Sequence, residues 1–217
     1  MIFKIEPVQN DLIQSAYDDG MNVFNDFWGV DWTTNTPNII VVNNRADFDG
    51  FVGRKTENWV GAMAIGTRPG DKKVVVFDFD KINVESIQKY TEPGYKELIK
   101  HELCHLFFNI VSKNSMSPIW LSEGSSICLS GQVKSKPRPE KLDGFLESDR
   151  EHMMKAYDEG GFVVEVLIDK FGKEKFIKLV ASLSEIKAND DFSRFFEEIY
   201  GFKLEYKKIN ELFLQGK

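Results

Sequence analysis

The chain predicts a mixed α+β fold, and three observations carry that reading. Short β-branched runs punctuate its first third. From Pro93 onward apolar residues recur at helical spacing. One polar, proline-bearing stretch at 131–148 breaks the helical half, as a loop does. At 217 residues the chain suits one sizeable domain or two small lobes sharing a core, with a sheet lobe over about 1–92 and a helical lobe over about 93–217.

Taken in order, residues 9–28 place Leu12, Ile13, Ala16, Tyr17, Val23, Phe24 and Phe27 at helical spacing, with Gly20 as a weak point. Asn38–Asn43 holds a β-branched run after Pro37 and predicts a buried strand. Arg45–Lys55 predicts a short helix or loop. Trp59–Gly66 and Val74–Phe79 predict two strands. The Thr67–Lys73 segment between them has turn chemistry, so the pair reads as a hairpin. Gly94–Ser112 predicts one helix, and Pro118 opens a second through about Leu129. Further helices are expected near 151–171, 173–185, 190–200 and 203–214, separated at Gly172 and Gly201.

Composition narrows the function. Hydrophobic residues make up 42% and charged residues 29%, the balance of a packed globular protein. A net charge of −6 argues against a general nucleic-acid binder, which needs a basic surface to displace counterions. No apolar run approaches a membrane span and no secretory leader is visible, so a cytoplasmic location with free thiols is the expectation. Two cysteines make no disulfide framework.

The most informative count is three histidines, His101, His105 and His152. His101-Glu102-Leu103-Cys104-His105 is an HExxH sequence. At 100° per residue its two imidazoles lie about 40° apart on one helical face, a turn apart in height, where both reach one ion. Glu102 projects beside them, where a carboxylate can take a proton from an activated water. Ile99, Leu103, Leu106 and Ile110 fall on the opposite side, giving a core face and a chemical face. The plain alternative is a surface helix with two solvated histidines.

A catalytic metal centre needs a third protein ligand. Positions 108 and 111 are Phe and Val, so no third His stands close downstream. The next carboxylate is Glu123, in Pro118-Ile119-Trp120-Leu121-Ser122-Glu123-Gly124, where a chain reversal at 114–118 and a second helix would return it to the metal. Its alternative is a solvated helix residue, but its apolar company suggests a packed helix, on which a buried Glu needs a cationic partner. Cys104 reads as a small packed thiol rather than a fourth ligand, and His152 as a solvated helix residue rather than an oxyanion donor. The loop at 134–141 reads as solvated.

HELCH followed by WLSEG resembles the gluzincin (MA-clan) zinc metallopeptidases, and within them the catalytic domain of the M1-aminopeptidase-like branch. The resemblance implies a thermolysin-like zincin domain with one Zn2+ per chain on His101, His105 and Glu123. It implies peptide-bond hydrolysis by a zinc-activated water with Glu102 as general base. Ala156-Tyr157-Asp158-Glu159-Gly160 is similar to the family's Y-x-x-G, which makes Tyr157 the oxyanion donor. Gly61-Ala62-Met63-Ala64 is similar to the family's substrate-pairing edge strand. There Ala64 replaces the Glu that grips a free α-amino group, which counts against aminopeptidase action. The expected partner is a peptide or protein substrate, with no nucleic acid and no membrane. Two rival readings remain open: a non-catalytic zinc-containing fold that binds a peptide or partner, and a zinc hydrolase of a non-peptide amide.

Overall fold

The computed structural model describes residues 3, 5–66, 71–147, 153–186 and 189–215. His152 and the Thr67–Gly70 part of the expected turn lie outside them. The fold is mixed α+β, with a small three-stranded sheet and helices over most of the remainder. Contacts divide the chain into two compact units, 1–106 and 107–217.

The first unit opens with α1 (Asp11–Trp28), capped by Asn10, whose side chain accepts from Ile13 N–H. Then follow β1 (Asn38–Val42), α2 (Arg45–Val52), β2 (Ala62–Ile65), β3 (Lys73–Phe77) and α3 (Phe79–Glu85). The strand order is β1-β3-β2. β2 and β3 pair antiparallel, as the hairpin reading expects, and β1 adds in parallel to β3. β3 is therefore central, and its Val74, Val75, Val76 and Phe77 are fully buried, as a strand covered on both faces should be.

The expected strand over Val74–Phe79 ends early. Asp78 caps the next helix by accepting from Asp80 N–H, so Phe79 is already the first residue of α3, a helix the apolar pattern did not signal. The expected Trp59–Gly66 strand likewise narrows to Ala62–Ile65. Gly20, read as a weak point, is instead a place of close approach. A Cβ there would lie 2.9 Å from Leu103 Cδ1 and 3.3 Å from Lys100 Cγ. Lys100 pairs with Asp19 at 2.9 Å beside it.

The helix α4 (Glu92–Val111) carries HELCH. Thr91 Oγ1 accepts from Gly94 N–H at its start. The wheel expectation needs one correction, because Ile110 is exposed. Moreover the face expected to be polar is itself covered: residues 101–108 are buried without interruption. A helical stretch buried on every side belongs to a core, not to a surface. It ends where Lys113 and Asn114 adopt left-handed φ values of 52° and 67° and Asn114 N–H bonds back to Asn109 O.

In the second unit, α5 (Ile119–Ser130) packs on α6 (Met153–Phe171). The crossing has no room for side chains. A Cβ on Gly124 would meet Gly160 O at 2.4 Å, and one on Gly160 would meet Trp120 O at 2.7 Å. The glycines that close WLSEG and Tyr157-x-x-Gly160 therefore touch each other. α7 (Lys173–Ser182), α8 (Asn189–Tyr200) and α9 (Tyr206–Leu214) complete the unit.

Within the loop between α5 and α6, residues 134–141 are largely exposed, as expected, while the stretch that follows them is tied down. Leu142 N–H and C=O both bond the Asn210 side chain, at 2.8 and 2.7 Å. Arg138 pairs with Glu165 at 3.1 Å and lies 4.2 Å over the Phe213 ring. Glu159, only 3% exposed, accepts from the N–H groups of Asp143, Gly144 and Phe145 at 3.0, 2.9 and 3.1 Å. Three donors converging on one carboxylate oxygen fix the loop to α6.

Candidate metal centre

α4 places His101 and His105 one turn apart, 9% and 7% exposed, and their Nε2 atoms stand 3.1 Å apart. Two imidazoles sharing a tetrahedral ion through bonds of about 2.0–2.1 Å would hold their nitrogens about 3.3 Å apart. The rings are thus already turned toward a common point. α5 carries Glu123, half-buried. Ligand atoms of His101, His105 and Glu123 lie within 4.8 Å of one another. Two imidazoles and a carboxylate, largely withdrawn from water, form a donor set that can hold a metal ion. Cys104 is fully buried, as a packed thiol should be.

Glu102 lies on the same turn and is 8% exposed. Its Oε2 accepts from Ala64 N–H at 2.7 Å. This bond ties HELCH to the strand that the resemblance singled out. No protein-family model matches the chain, and no curated protein matches it. What the residues can do therefore rests on their own geometry.

That geometry has one further element in β2. Phe77 N–H bonds Gly61 O at 3.3 Å, making Gly61 and Phe77 a bonded pair. Antiparallel pairing alternates, and Met63 and Ile65 face Val75 and Lys73, so these residues turn their backbone groups toward β3. Ala62 and Ala64 turn theirs the other way. β2 is an edge strand among the described residues, so those groups face outward, and Ala64 N–H is the one that meets Glu102.

Tyr157 sits half-buried on α6, three residues before the Gly160 contact.

Sequence reasoning missed Tyr90. Its backbone N–H donates to Asn83 Oδ1 at 2.7 Å and its C=O accepts from Asn83 Nδ2 at 3.0 Å. Its hydroxyl would stand 3.3 Å from a Cβ built on Gly61. Burial, together with the nearby charge of Glu102, pushes the phenol up to about 12. The only sequence signal was an aromatic two residues before the helix that carries HELCH.

Proposed function

We propose that this chain is a zinc-dependent peptidase of the thermolysin-like, gluzincin type. The observation that carries the reading is the conjunction on one helix turn: a buried His101–His105 pair grouped with Glu123, and beside it a carboxylate bonded to an outward backbone group of an edge strand. A metal ion alone would account for the first part. The second supplies what peptide hydrolysis needs in addition, a base adjoining a surface on which an extended chain can pair.

A bound zinc ion supplies Lewis-acid chemistry, lowering the pKa of water and polarising a carbonyl. The chain's own residues do the rest. His101, His105 and Glu123 would hold the ion. The outward groups of Ala62 and the Ala64 carbonyl offer backbone hydrogen bonds to a substrate strand. Glu102 takes the proton of the attacking water and passes it to the leaving amine nitrogen. Tyr157 donates a hydrogen bond to the oxyanion. Ala64 carries no carboxylate to grip a free α-amino group, which favours cleavage within a chain.

The decisive experiment loads the protein with zinc and measures hydrolysis of a random octapeptide pool by mass spectrometry, with and without chelator. Chelator-sensitive cleavage that Glu102→Gln abolishes, with zinc content retained, is the expected result. Equal rates for the variant and the wild type would sink the assignment.

A further inference from the structure

The geometry points to Tyr90 as a substrate-anchoring residue, its phenol donating a hydrogen bond to a backbone carbonyl of a peptide laid along the edge of β2. This rests on the peptidase reading above and assigns to it a residue outside the motifs.

Two tyrosines of the first unit make the case by contrast. Tyr95 is fully buried, and its hydroxyl donates to Phe77 O at 2.7 Å. That bond satisfies a core carbonyl, so the group has a structural purpose. Tyr90 is only half-buried, and its hydroxyl donates to Gln88 Oε1 at 2.6 Å, an exposed side chain. No buried group depends on that bond. An exposed amide can rotate and present its NH2 instead, which leaves the phenol proton for another acceptor.

Its location selects that acceptor. The hydroxyl lies against Gly61, the residue immediately before β2. Side chains larger than hydrogen at 61 would press on Tyr90 Oη, Ile82 Cδ1 at 3.1 Å and Leu98 Cδ2 at 3.3 Å. A glycine here keeps the phenol beside the strand. A peptide pairing with the outward groups of Ala62 and the Ala64 carbonyl continues past Gly61. There Gly61's own carbonyl is turned toward β3, so the edge offers no backbone partner at this position. The phenol stands beside the strand here, 3.3 Å from a Cβ built on Gly61, and supplies a donor where the backbone does not. The two bonds from Asn83 hold the Tyr90 backbone, so little freedom is lost when the phenol engages a ligand. The neighbouring Glu102 charge and burial keep the phenol protonated, hence a donor, across the whole physiological range.

The test compares zinc-loaded wild type with Tyr90→Phe, which removes one oxygen and keeps the ring. KM for the octapeptide pool is expected to rise about 5- to 10-fold with kcat within about 2-fold, the loss of one hydrogen bond to bound substrate. Tyr95→Phe serves as the structural control. It should lower Tm and leave KM unchanged. A second arm needs no turnover: retention of the same pool on immobilised, zinc-loaded Glu102→Gln should fall about 5-fold when Tyr90→Phe is added. Wild type that cleaves nothing would overturn the peptidase reading, while the retention arm still decides Tyr90. Unchanged KM, a fall in kcat at constant KM, or equal retention with and without the phenol would each overturn the assignment of Tyr90 as an anchor.

Discussion

Two largely buried glutamates in this protein have nearly the same exposure and opposite surroundings. Among the described residues, three consecutive backbone N–H groups reach Glu159, and Lys155 stands 3.5 Å from its other oxygen. One backbone N–H reaches Glu102, that of Ala64. Glu159 is saturated with donors and spends its charge on holding a loop. Glu102 is held at one oxygen only, beside two histidines. A buried carboxylate that must move protons needs an uncommitted lone pair. On the proposed reading, the difference between these regions separates a structural glutamate from one available for chemistry.

The same isosteric substitution should therefore give opposite results at the two positions. Glu102→Gln is expected to lower kcat by about 10²–10⁴-fold, the usual contribution of a positioned general base. Its Tm should stay within about 2 °C, because a Gln carbonyl still accepts from Ala64 N–H. Stopped assays and calorimetry on one preparation check both halves. A variant that unfolds early would return Glu102 to the structural class.

Zinc should stabilise through the centre that Glu102 adjoins. At free zinc about 100 times its Kd, stability should rise by about 2.7 kcal/mol, raising Tm by about 5–11 °C. In His105→Ala that rise should vanish. Differential scanning calorimetry across a zinc titration reads it, and an undiminished rise in the variant would place the metal elsewhere.

Glu159→Gln keeps an acceptor but loses the charge assistance of its bonds, for an expected cost of about 2 kcal/mol and about 4–8 °C in Tm. The partners of Glu159 are the 143–145 N–H groups and Lys155, none of them in the His101–His105–Glu123 set, so that shift should be the same with and without zinc. A zinc-dependent shift would blur the distinction between the two regions. The smallest effect belongs to Gly144→Ala, in the loop that feeds Glu159. Its Cβ would lie 2.6–2.9 Å from Lys155 side-chain carbons, and the cost is expected to be about 1 kcal/mol, read as a small drop in the denaturant midpoint.

These two regions also differed in how legible they were. Glu102 and the His101–His105 pair could be read because helical geometry converts a spacing of four into a shared face. Glu123 could be read because it was the next carboxylate, within a strongly apolar stretch. Glu159 passed unnoticed within Tyr157-x-x-Gly160, since its donors are backbone groups that no sequence pattern advertises. The same holds for Tyr90, placed by an asparagine seven residues upstream, and for α3, started by the Asp78 cap. Burial of the chemical face of α4 escaped the wheel as well. A wheel sorts residues by polarity and does not know what the rest of the chain will lay over them. The mixed class and most helices were plain from periodicity, whereas the parallel partner of β3 was not, because strand order depends on contacts distant in sequence.

The bare crossing of α5 and α6 has a mechanical consequence. Helices that meet backbone to backbone cannot slide or roll there without collision, so Gly124 and Gly160 act as a pivot pin. A rod pinned at one point swings least beside the pin. Glu123 is one residue from it and Tyr157 three, about 1.5 and 4.5 Å along their axes. Thermal bending that displaces the far ends of these helices by an ångström moves those two backbone positions by a small fraction of that. The proposed ligand and the proposed oxyanion donor thus both stand next to the fulcrum.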